Sequence, residues 1–454
     1  MSAALDVAET ALRAAAGDAA DVFVQSERSG LARFASSRLH QPTLVEDVVV
    51  TLRVVRDGRV GVAVSNRTTD DGLRELAARA IDAADSAPID EEFPGLAEPA
   101  PLPAVRGPDP ETVELGPREQ AELADAAIAA AGDTPAYGFF TSGSTDVAVA
   151  STTGSRTQQT TTDATVLVLA SGEGFSGFAT QTSSKVAGID VRGCAAEAAE
   201  KAARTRGAAG IEPGIYRAVL EPYALAELLQ YFAYDTFGAY GLLEERSFFS
   251  GRIGEQVFDE KVSIADDALD SAGLPRAFDF EGSPKQRVAL VEDGVARGVV
   301  WDRRAAKRAG GDARGTGHAP PVVLQSYGPL PFALTMRGGD AESVLELAEA
   351  VGEGIYVTRL HYLGVVHPRE GVVTGMTRDG TFRIRGGRVA EPLVNLRFTV
   401  AVPRLLGDVP ALSRAVTLVN GSDFYGDRFA YGVRAPAIAT AHFNVTGVGS
   451  SPGV

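Results

Sequence analysis

The stretch FPGLAEPAPLPAVRGPDP, residues 93–110, holds six prolines. Proline lacks a backbone N–H and fixes φ, so neither a helix interior nor a central strand accommodates this run. It reads as a linker, separating a unit of residues 1–92 from one of residues 111–209. On its N-terminal side, ALDVAETALRAAAG spaces apolar residues as a helix ending at Gly17. DVFVQSE follows as a strand, and DVVVTLRVVRDGRVGVAVSN as a hairpin turning at Asp57-Gly58. GLRELAARAIDAAD is a second helix. Beyond the linker the order repeats: a helix in REQAELADAAIAAAGD, strands from about Asp146 to Thr182, and a closing helix in RGCAAEAAEKAARTRG. The residues of the two units hardly match, so duplication is only faintly indicated.

From about Gly210 short strands and glycine turns dominate. EPYALAELLQYFAYDTFGAYG is expected to form one helix with Pro222 in its first turn. DAESVLELAEAVGEG is expected to form another, capped by Asp340 and ended by Gly352. Hairpins should turn at Asp293-Gly294 and at Gly386-Gly387. The fold class expected is α+β and two-lobed: an α/β N-terminal lobe with helix-flanked sheets, then a mostly antiparallel, β-rich domain over residues 210–454.

A net charge of −16 argues against nucleic acid or an anionic membrane as the main partner. The N-terminus lacks the basic start and continuous apolar core of a signal peptide. No stretch approaches about 18 uninterrupted apolar residues. A soluble, cytoplasmic protein is expected. The single cysteine, Cys194, permits no disulfide within the chain and reads as a buried structural thiol.

Chemistry-bearing motifs are few. A zinc peptidase helix offers two histidines one turn apart and a glutamate to activate water. Here His40, His318, His361, His367 and His442 are dispersed. His361 and His367 are six apart, roughly 20 Å along an extended strand, too far to share one ion unless the chain bends at Gly364. GEGFSG, residues 172–177, matches a dinucleotide-loop string, but strand-like FATQTSS follows where a helix is needed, so it reads as a hairpin tip. The basic island from Arg303 to Pro321 reads as a mobile surface loop, or as a groove lining that offers guanidinium groups to a peptide carboxylate.

Several of these stretches resemble the TldD/PmbA family. RFASSRLHQPT with VRDGRVGVAVSN resembles its N-terminal signature, DRRAAKRAGGDARGTGHA its glycine loop, and LHYLGVVHPREGVVTGMTRDGTFRIRGGRVAEPLVNLRFT its C-terminal core. The resemblance implies a two-lobed protein working as a TldD–TldE dimer on unfolded peptides. The active member carries H-E-x-x-x-H on a helix and a late cysteine as a further zinc ligand. In that place this chain has QYFAYD: Gln230 and Asp235 stand where the histidines would, and Tyr231 where the glutamate would. The late cysteine is missing too. The chain therefore resembles the PmbA/TldE-type subunit, with no catalytic or metal-ligating residue of its own and zinc expected in a TldD-like partner. Arg359, His361, His367 and Arg378 are candidates for a groove holding unfolded or precursor peptide. A self-sufficient peptidase with an unrecognised metal site and a non-proteolytic peptide-binding scaffold are the alternatives.

Overall fold

The computed structural model describes residues 3–15, 17, 19–422 and 428–449. Its N-terminal lobe runs α1 (Ala3–Ala14), β1 (Ala19–Ala35), β2 (Arg38–Arg56), β3 (Arg59–Ser65) and α2 (Asp70–Ser86), then α3 (Pro110–Glu114), α4 (Pro117–Ala130), β4 (Ala136–Ser151), β5 (Arg156–Gly172), β6 (Phe175–Ser183) and α5 (Val191–Arg204). The six strands form one antiparallel sheet, ordered β3-β2-β1-β4-β5-β6. The units flanking the proline segment thus meet at the β1–β4 pair, where Val22 faces Ala150. Each contributes three strands flanked by helices, and the strand order mirrors about the sheet centre.

Helices cover one face of this sheet. Val22, Val24, Leu52 and Val54 pack against Ala8, Leu73, Leu76 and Ala80. In the other half of the same face Phe34, Phe140, Val166 and Val168 pack against Ala124, Cys194, Ala195 and Ala198. Alanine on the helices lets them approach closely, and glycine on the edge strands completes the fit. A Cβ at Gly61 would lie 2.1 Å from the carbonyl oxygen of Ala80; one at Gly177 would lie 2.2 Å from that of Ala198. These two contacts occupy matching places in the two halves. Gly177→Ala is therefore expected to cost about 2–3 kcal/mol, because helix backbone cannot yield as a side chain can. Chemical denaturation measures it, and a loss below about 0.5 kcal/mol would contradict the close approach.

Asp57-Gly58 turns the β2–β3 hairpin with both residues at positive φ, as its right-handed twist requires. GEGFSG is the β5–β6 hairpin tip, with Gly174 at φ +75°. The strands of the second unit begin ten residues earlier than expected, at Ala136, because the pairing of β4 to β1 carries AYGFFTSGST into the sheet despite its small polar residues.

The C-terminal lobe comprises β7 (Gly214–Leu220), α6 (Pro222–Thr236), α7 (Ala239–Leu243), β8 (Ile264–Asp266), β9 (Val288–Glu292), β10 (Val295–Ala296), α8 (Arg303–Ala309), β11 (Leu334–Met336), α9 (Val344–Val351), β12 (Gly354–His367), β13 (Val372–Arg385), β14 (Arg388–Leu393), β15 (Leu396–Ala401), α10 (Val402–Leu405), β16 (Ala411–Asn420) and β17 (Gly432–Val448). The strands form one mostly antiparallel sheet; β12–β7 and β11–β17 pair in parallel. Because β7 also pairs with β17, the strands β7, β12, β13, β15 and β17 close a ring. The apolar side of α6, with Leu225, Leu228, Leu229 and Phe232, packs with Val357, Leu360, Phe398 and Ile438 from it.

Three local expectations are corrected. The helix expected over residues 221–241 breaks at Phe237: Val300 donates its N–H to the Phe237 carbonyl and accepts from Ala239 N, so a passing segment takes those backbone groups. Ser343, not Asp340, caps α9, accepting from Glu346 N; the chain at Ala341 is pinned to Leu412 instead. Gly352 does end that helix, at φ +74°.

The third correction concerns the basic island, whose first part is a helix rather than a loop. Arg303–Ala309 is helix α8, capped by Asp302. Arg303 Nη1 donates to the Gly95 carbonyl (2.7 Å), Lys307 Nζ to that of Phe93 (2.7 Å), and Arg304 pairs with Asp90. Arg303 and Lys307 thus bond carbonyls of the proline-rich segment, which has no helix or strand from residue 93 through residue 109 to satisfy them. His318, at the far end of the island, is buried between Asp266 (2.8 Å) and Thr316 (2.9 Å).

Candidate functional site

Helix α6 begins at Pro222, whose missing N–H costs nothing in a first turn. Its wholly apolar side is buried. Glu227, Gln230, Tyr231 and Tyr234 recur at i, i+3, i+4 and i+7 and so share a half-buried face. Gln230 Nε2 donates to both Tyr234 Oη and Tyr431 Oη, each at 3.0 Å. Asp235, the remaining carboxylate of this segment, is paired with Arg246. Burial holds the Tyr231 and Tyr431 phenols above their ordinary range.

Next to this face runs the β12–β13 ladder, where Arg359 and Arg378 stand directly opposite one another. Like charges in that position are unfavourable, so a carboxylate is needed between them. Asp379 supplies it: Oδ2 lies 3.4 Å from Arg359 Nε and 3.8 Å from Arg378 Nε. Its backbone is left-handed, φ +54°, with Gly380 at +134°. Asp379 Oδ2 and Arg359 Nε are both buried without a hydrogen-bond partner. Arg359 also stacks its guanidinium over Phe178 of the N-terminal lobe, 4.1 Å from the ring centre. Glu227 Oε2 accepts from Leu360 N (2.9 Å), and burial pushes its carboxyl up to about 7 against the opposing pull of Arg359. His361 lies below its ordinary value, first through desolvation and then through Arg378 and Arg359.

Arg359, His361 and Arg378 are thus brought together. His367 is exposed at the β12 end, opposite Val372, where Pro368 starts a turn. A bulge between His361 and Gly364, with Tyr362 at φ +51°, shortens the strand but does not fold it back. By register the two histidines are separated by roughly 14 Å of ladder. Glu227, Asp379 and Tyr431 belong to the same neighbourhood and were not anticipated. Glu227 carried one signal, a lone carboxylate inside the apolar run ALAELL.

This donor set does not suit a zinc ion, which takes imidazole, thiolate or carboxylate ligands. Gln230, Tyr231 and Tyr234 present an amide and phenols, the amide already committed to two hydroxyls. Among the described residues no three His, Cys, Asp or Glu side chains are grouped so as to hold a metal. Cys194 is buried in the N-terminal lobe, its thiol pushed up to about 12 by burial, which leaves it inert.

The model of the PmbA/TldA metallopeptidase C-terminal domain matches residues 213–447, over half of the chain, and that of the family's domain 1 matches residues 20–84. The chain belongs to the TldD/PmbA family. Its relatives include a metalloprotease of Methanothermobacter thermautotrophicus, 28% identical over 233 residues (50% of this chain, 47% of the relative). Another is the Haemophilus influenzae metalloprotease TldD homolog, 28% identical over 155 residues (33% of this chain, 30% of the relative). The matched stretches span about half or less of these curated relatives. Among solved structures, TldE from Thermococcus kodakarensis superposes with a TM-score of 0.86 at 20% identity, covering 97% of this chain and 99% of that one. A Thermotoga maritima protein described as a putative modulator of a DNA gyrase gives 0.80 at 18% identity, covering 94% and 96%. At these identities the likeness is one of fold. Among the described residues of this TldD/PmbA-family member, no helix is long and apolar enough to cross a membrane.

Proposed function

We propose that this chain is the non-catalytic, TldE-like subunit of a heterodimeric zinc peptidase acting on unfolded or precursor peptides. The observation that carries this reading is the face of α6. Where the family's active member bears its zinc-binding motif, this helix presents Gln230, Tyr231 and Asp235, held by Tyr431, Tyr234 and Arg246. The zinc-bound water that attacks the peptide bond belongs, in this reading, to a TldD-like partner. The role of the present chain is to shape the chamber and orient an extended peptide strand. Arg359, His361 and Arg378, with Asp379 and Glu227, are assigned to the peptide groove; His367 is assigned to its rim.

The test is reconstitution. Mixing the chain with a cognate zinc-bearing subunit is expected to give chelator-sensitive hydrolysis of unfolded peptides exceeding that of the zinc subunit alone by about tenfold or more. Equal activity without this chain discards the accessory role. Stoichiometric zinc in the purified chain, with hydrolysis of its own, would replace the reading with a self-sufficient peptidase.

A further inference from the structure

The helix-free face of the N-terminal sheet leaves a cleft of about 260 Å³ against the C-terminal lobe. Phe23, Thr51, Val64 and Val149 form its floor, and Phe280 with residues 322–324 its wall. Its rim is open: Val64 and Val323 are 45% and 81% exposed. One end is charged. Arg53 donates to Asp21 Oδ1 (2.9 Å) and to Glu281 Oε1 (2.8 Å), so two carboxylates share one guanidinium. Glu281 Oε2 has no hydrogen-bond partner and is itself buried, while 13% of the Glu281 side chain is exposed at this end. An unmatched carboxylate oxygen in a desolvated place is unfavourable until a donor reaches it. The complement of this cleft is an apolar stem ending in a cation.

We infer that this interlobe cleft takes an arginine or lysine side chain of an extended peptide, the stem lying between Phe23, Phe280 and Val149 and the cation donating to the Glu281 carboxylate. The volume suits one long side chain, below the range of drug-sized ligand pockets. The identification of the ligand as a peptide rests on the peptide-handling function proposed above; the cleft and its unmatched oxygen do not.

The test uses the full chain without a partner, so its result is independent of whether a zinc subunit activates it. Fluorescein-labelled glycine-rich peptides of one length, differing only in a central arginine, lysine, norleucine or glutamate, are titrated by fluorescence anisotropy. Arginine and lysine peptides are expected to bind about tenfold or more tightly than the other two. Glu281→Gln, which keeps the acceptor for Arg53, is expected to erase that preference. Val64→Trp, at the exposed rim, is expected to weaken binding of the basic peptides with the circular dichroism spectrum unchanged. Equal affinity for all four peptides, or an undiminished preference in Glu281→Gln, overturns the inference. Free butylguanidine binding as tightly as the arginine peptide overturns the peptide source and assigns the cleft to a small amine.

Discussion

Arg428→Met is expected to destabilise the protein by about 3–5 kcal/mol. Arg428 is a C-terminal-lobe residue driven into the helix-free face of the N-terminal sheet, and only 3% of its side chain is exposed. Its Nε donates to Asp163 Oδ1 (3.0 Å) and its Nη1 to Thr141 Oγ1 (3.1 Å). Its own backbone joins the contact, accepting from Gln25 Nε2 (2.8 Å) and donating to Glu27 Oε2 (3.2 Å). Methionine fills much of the volume but strands the Asp163 carboxylate in a place shielded from water, and that uncompensated charge dominates the cost. Asp163→Asn in the same background should recover part of the loss, since the amide needs no counter-charge. Equilibrium denaturation of the single and double variants measures both effects. A single-variant loss below about 1 kcal/mol would show that this pair does not hold the lobes together.

Glu227→Gln is expected to be more stable than the parent at pH 8, by up to about 3 kcal/mol, with the difference vanishing near pH 4. Burial raises the folded-state value of Glu227 to about 7, above that of the unfolded chain. The folded protein therefore holds this proton more tightly. The parent keeps its full stability below about pH 4.5 and loses it as pH rises through about 7. Glutamine still accepts from Leu360 N but carries no charge to bury. Stability measured from pH 4 to pH 8 for both proteins tests the sign, and parallel curves would show that folding does not shift the titration of Glu227. The result bears on the proposed function: if Glu227 lines a peptide groove, its titration near neutrality changes the charge beside Arg359.

How far the sequence could be read depended on whether the deciding contact was local. The helices and hairpins of the N-terminal lobe were legible because period-3.6 and period-2 patterns are punctuated by Gly17, Asp57-Gly58 and the prolines of residues 93–110. The β1–β4 pairing was not: nothing in DVFVQSE announces a partner more than a hundred residues away. The break at Phe237 depends on Val300, and the fate of the basic island on carbonyls of residues 93–95, both distant in sequence. The site divided the same way. Arg359, His361 and Arg378 stood out as polar residues in strand-like sequence, and the ladder register unites them. Asp379 was hidden because its importance lies in a left-handed backbone between two guanidinium groups.

The ring of five strands carries a consequence for how the protein is made. β7 finds one of its two neighbours only in β17, more than two hundred residues later. While a ribosome is still elongating the chain, the emerging lobe displays an open β7 edge and the part of α6 that β17 will cover. Newly made protein is thus most vulnerable to clumping just before the last strand emerges, and a shield for nascent chains would matter most in that interval.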